Sequence, residues 1–181
     1  MMSRVRRKPV LIVACSVGII GIMVASKFLG KETQQPVFRK EEGPRSTAHL
    51  FGIVERDGTD ATRDEAIVEL VDRGRRGDLS AETIIRLVGR LRTEPRACLR
   101  ESILIGLGAL YEAHPRDCGF VMEALENSLA HDAAAGVRKT AAHVLASLDN
   151  RGVRTILSRA LHEERDPGVQ TDLTTLLTLL D

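Results

Sequence analysis

Five histidines and three cysteines are the residues of this 181-residue chain best suited to metal or redox chemistry, and their spacing argues against both. His49, His114, His131 and His143 show no close ligand spacing, and His162-Glu163 is the only His-Glu dipeptide. The histidines read as cap, turn or surface residues, and no cofactor is expected. No Ser-His-Asp order, glycine-rich phosphate loop or paired-carboxylate motif stands out; "GLG" at 106 to 108 lies inside an apolar helix and reads as close helix packing. Cys98 and Cys118 fall near the starts of two successive antiparallel helices, about 20 Å apart at ~1.5 Å rise per residue, whereas a disulfide needs Cα atoms within ~7 Å. Two reduced, largely structural cysteines are expected.

Arginine is the remaining candidate for ligand chemistry. Arg73, Arg75 and Arg76 cluster, with Arg86, Arg90, Arg96 and Arg100 nearby, but Asp72, Asp78, Glu82 and Glu101 lie among them. Such a mixture reads as a solvated, locally paired surface, with anion or nucleic-acid binding as the alternative. The charge balance supports the first. Residues 1–59 hold 10 Lys and Arg against 5 Asp and Glu, and residues 60–181 hold 16 against 20. A net negative body is a poor match for a duplex whose phosphates must be neutralised, so no nucleic-acid partner is expected.

The elements that would position these residues divide the chain into four parts. Residues 1–8 are a basic tail carrying Arg4, Arg6, Arg7 and Lys8. Residues 9–29 follow with no charge from Val10 to Ser26, enough apolar length to cross ~30 Å of hydrocarbon as one helix. A single-pass membrane protein is expected, its tail cytoplasmic and its C-terminal domain on the non-cytoplasmic side. A signal peptide cleaved after Ser26 and a lipoprotein box around Cys15 are the competing readings. Ala14, Gly18, Gly21 and Ala25 share one face of this helix, a stripe that suits self-association or reflects the abundance of small residues in membrane helices. Residues 30–59 read as a linker, with "HLFGIVE" at 49 to 55 as a turn or strand leaning on the domain.

From residue 60 onward apolar residues recur at helical spacing between regular breakers. Seven helices are predicted, at 61–73, 80–92, 96–113, 116–130, 134–148, 152–163 and 167–180, and the fold class is all-α. Odd-numbered helices share a template. Leu99, Ile103, Leu104, Leu107 and Leu110 precede Val137, Ala141, Ala142, Leu145 and Leu148 by 38 residues, and these precede Val169, Leu173, Thr174, Leu177 and Leu180 by 32. The first helix fits 36 residues earlier through Ile67, Val68 and Val71, leaving Arg63 at an apolar position. A helix pair repeated at this period is the pattern of a short α-solenoid, here of about three and a half antiparallel pairs.

"DAAAGVRKTAAHVLASL" (132–148) resembles HEAT repeats of the phycobilisome-lyase-like type, and "RDPGVQTDLTTLLTLL" (165–180) follows the same consensus with Gln170 for arginine and Thr174 for alanine. The resemblance covers about 120 residues. It implies an α-solenoid whose second helices line a concave surface, and together with the apolar segment the expected function is a non-catalytic, membrane-tethered scaffold for a protein partner. Arg86, Glu123 and Thr155 would occupy one row of that surface and Arg90, Asn127 and Arg159 the next. It also keeps open an accessory lyase or chaperone-like enzyme; the di-iron hydroxylases with HEAT-type repeats would need four His-Glu pairs, and this chain has one. At the C-terminal end, Leu176 and Leu179 either fold down on the sixth helix or form an apolar patch for partner docking or homo-oligomerisation.

Overall fold

The computed structural model describes residues 45–56, 58–116, 118–148 and 152–180, and the predicted tail, membrane helix and small-residue stripe lie outside them. Among the described residues no helix is long and apolar enough to cross a membrane. The described chain is all-α. Its helices are α1 (Thr47–Glu55), α2 (Asp60–Arg75), α3 (Ala81–Thr93), α4 (Ala97–Ala113), α5 (Gly119–His131), α6 (Ala135–Ser147), α7 (Val153–Glu163) and α8 (Pro167–Leu179).

Local chemistry sets the helix boundaries. Ser46, Thr59 and Ser80 accept from the backbone N–H three residues on, at 3.1, 3.3 and 3.3 Å, satisfying donors that the first turn leaves orphaned. Asp166 does the same for Gly168 and Val169, with Pro167 opening α8. α2 ends in a Schellman turn: Gly77, at φ +82°, donates to the Gly74 carbonyl, and Asp78 donates to that of Arg73. A third device recurs before α4, α6 and α8. Glu94, Asp132 and Glu164 each close the preceding helix with their N–H, and each carboxylate then accepts from the backbone N–H two residues further, at 3.0, 2.9 and 2.8 Å.

α2, α4, α6 and α8 pack on one another in series, and α1, α3, α5 and α7 each pack on the helix that follows them. The seven expected helices are present within two or three residues at each end, and α1 is additional. It occupies the stretch expected as a turn or strand, and Leu50, Phe51 and Val54 are buried in the common core. The packed body therefore begins by Thr47. With α1 counted, the helices make four pairs, and α8 has its partner before it in α7.

The repeat register in α2 differs from the one the apolar pattern suggested. Val68 is 54% exposed and matches Ile105, 51% exposed, 37 residues later; Ala66, Ile67 and Leu70, all buried, then match Ile103, Leu104 and Leu107. This shift places Arg63 level with Arg100, so the charge is a repeated feature, not a misplaced one.

Close helix approach rests on missing side chains. A Cβ at Gly106 would strike Val71 on α2 and one at Gly108 would strike Val144 on α6, so the "GLG" sequence is where α4 meets both neighbours. Gly136 and Gly168 open a second kind of space. A Cβ there would lie 2.7 Å from the Glu101 carboxylate and 3.1 Å from Lys139 Nζ, so each notch takes a long side chain from the preceding helix of the series. Thr171, Thr174, Thr175 and Thr178 share one face of α8, and each hydroxyl donates to the carbonyl four residues back at 2.8–2.9 Å. Thr174 and Thr178 stand where Ala142 and Ala146 stand in α6. The template placed Thr174 and Leu180 in the core; both are exposed, because no described helix packs on that side of α8.

Candidate partner-binding surface

A ladder of ion pairs links successive helices of the series. Arg63 on α2, 6% exposed, donates to the Val54 carbonyl of α1 at 2.9 and 3.1 Å and pairs with Glu94, 3% exposed, which also accepts from Arg90. Arg100 forks onto Asp132 with two bonds of 2.8 Å while bonding the Glu94 and Pro95 carbonyls. Arg138 repeats this one helix on, reaching Glu164 at 2.7 and 3.0 Å and the Asp132 carbonyl at 2.8 Å. Gln170 ends the series, its amide keeping only the bond to the Glu164 carbonyl.

These pairs are buried enough for forked, charge-assisted bonds to matter. The Arg138 fork is the main reason that the Glu164 carboxyl falls to about 2. Burial pushes Asp132 and Glu94 up, but Arg100 and the Ala134 N–H for the one, and the Arg96 N–H, Arg90 and Arg63 for the other, hold both below their ordinary values.

Against this framework the expected site residues separate into two groups. Arg86 forks onto Glu55 at 2.6–2.9 Å and lies 4.4 Å from the Phe51 ring centroid, so it fastens α1 to α3. Arg90 belongs to the Glu94 cluster, and Leu176 is 8% exposed in the core. Arg90 and Leu176 are committed to internal structure, and Arg86 is held in a surface pair with its side chain 51% exposed. Glu123, Asn127 and Thr155 are exposed on α5 and α7, which pack together; Arg159 is exposed and bonded to Glu126 at 3.2 Å. Leu179, 72% exposed, is separated from Leu176 by the surface of α8.

One feature that the sequence reading missed adjoins this surface. A cleft of about 370 Å³ lies between the last turns of α3 and α5, lined by Arg92, Asn127, Ser128 and His131 together with Arg100 and Asp132 of the ladder. Its signal in the sequence is the acid six residues before each ladder arginine, Glu94 to Arg100 and Asp132 to Arg138, repeated at the helix-pair period.

Cys98 and Cys118 are not joined in a disulfide. Cys118 is buried, whereas Cys98 is exposed with its Sγ 3.8 Å from Asp60, so only the first has a core position. Among the described residues no three His, Cys, Asp or Glu side chains could together hold a metal ion. No protein-family model, curated protein or solved structure matches this chain.

Proposed function

We propose that this chain is a membrane-tethered HEAT-like α-solenoid that acts as a non-catalytic scaffold, holding a protein partner against the surface of α3, α5 and α7. The observation that carries the reading is the division of labour between the two helix series. α2, α4, α6 and α8 stack on one another and carry the ladder, while α5 and α7 leave Glu123, Asn127 and Thr155 exposed in rows on neighbouring helices. Rows of exposed polar groups on a rigid support suit recognition of a long partner surface. The tether is the apolar segment 9–29, with the repeat body on the non-cytoplasmic side.

Arg86 and Arg90 belong to the support and not to the contact set, so binding falls to Glu123, Asn127, Thr155 and Arg159. The test is capture of a partner by the full-length chain and by a Glu123→Arg, Thr155→Glu double variant, with Val68→Glu on the opposite helix series as control. Loss of the same partner from the double variant alone supports the reading. Equal capture by all three proteins contradicts it.

A further inference from the structure

We propose that the cleft between the last turns of α3 and α5 receives an acidic side chain, so that the partner engages this surface through an acidic peptide segment. The proposal rests on the scaffold reading and names the chemistry of its ligand.

Charge decides the sign. Arg63, Arg90, Arg92 and Arg100 line or adjoin the cleft, against Glu94, Asp132 and Glu101. Glu94 and Asp132 are already held by arginines, and Arg92 is an exposed guanidinium with no ion pair among the described residues. An incoming carboxylate therefore meets a cation without having to break an existing pair.

Donors decide the geometry. Ser128 is 7% exposed and lines the cleft, where its hydroxyl is a donor open to an incoming group. Beside it stand the Asn127 amide and the His131 ring, both donors in reach of the same space. The volume lies near the lower end of ligand pockets, about 300–1,000 Å³, which suits one side chain and its flanking backbone and not a large cofactor.

The experiment titrates full-length protein with a fluorescein-labelled Glu-Gly-Glu-Gly-Glu peptide at about 0.15 M salt, where exposed charge is screened beyond ~8 Å. The Gln counterpart and inorganic phosphate serve as comparators. The expected result is binding of the Glu peptide, weakened about tenfold by Arg92→Gln and by exchange of Glu for Gln in the peptide, and unchanged by Arg165→Gln on a remote loop. Ser128→Ala weakens it too, without lowering the melting temperature. Equal binding by wild type and Arg92→Gln overturns the proposal, as does displacement by phosphate at the peptide's own concentration, which marks a small-anion site. A photocrosslinking residue at Glu123 in the same protein separates the two readings. A partner adduct without peptide binding overturns the cleft alone, and absence of both overturns the scaffold as well.

Discussion

A glycine inside a helix costs about 1 kcal/mol relative to alanine, so each one either lets something approach or should be replaceable. Gly106 and Gly108 let something approach: a methyl at either position would overlap Val71 or Val144. We predict that Gly106→Ala and Gly108→Ala each destabilise by about 1–3 kcal/mol, the ordinary cost of overpacking. Gly89, in the middle of α3, has nothing within 4 Å of its missing Cβ. Gly89→Ala should therefore stabilise by roughly 0.5–1 kcal/mol. Urea unfolding of the three variants checks both signs at once. Arg63 is the other residue whose role is sharp. Arg63→Ala removes the donor from the Val54 carbonyl and one of two cations from buried Glu94, and a loss of about 3–5 kcal/mol is expected in the same assay.

At the scale of the element, the ladder makes stability depend on acid. Glu164, Asp132 and Glu94 all have folded values below their unfolded ones. Their contribution is complete above the unfolded carboxylate range, near pH 4.5, and is lost as pH falls through the folded values, about 2 for Glu164. Glu101, pushed up by burial, works in the opposite direction and is relieved by protonation. For Glu164, roughly 2–4 kcal/mol should disappear between pH 4.5 and 2. Glu164→Gln should cost a comparable amount at pH 7 and show a flatter loss on acidification, measured by urea midpoints across that range.

The helices of this series were legible because their apolar period is long and their breakers are regular, and α2 to α8 lie close to where these signals place them. α1 was not, since nine residues give too few turns for a period, and Leu50, Phe51 and Val54 suit a strand as well as a helix. Nor was the place of Arg63. An apolar template scores a buried arginine as an error, whereas the spacing of six from acid to arginine, Asp57 to Arg63 and Glu94 to Arg100, carries the true register.

At the scale of the whole molecule, the repeated segments stack without ending in a fully apolar face. α8 turns Thr171, Thr174, Thr175 and Thr178 outward with their hydroxyls satisfied on its own backbone, so this face is polar without unpaired hydroxyls. Leu176 belongs to the core and Leu179 does not, a split invisible to a sequence pattern that treats both as surplus leucines. Leu176→Ala should destabilise by about 2–4 kcal/mol and Leu179→Ala by less than about 0.5, read from thermal unfolding. The exposed positions on α5 and α7 were legible from the even-helix alignment, but the pairing of Arg86 and Arg90 on α3 was not, because Glu55 and Glu94, which engage them, come from outside the aligned helices. The central claim is that this surface, and not the opposite helix series, meets a protein partner. Photocrosslinking residues placed singly at Glu123, Thr155, Val68 and Thr175 of the full-length chain in its native cells test it most directly. A single discrete adduct from Glu123 and Thr155, absent from Val68 and Thr175, is the predicted result; adducts confined to Val68 or Thr175, or none from any position, contradict it.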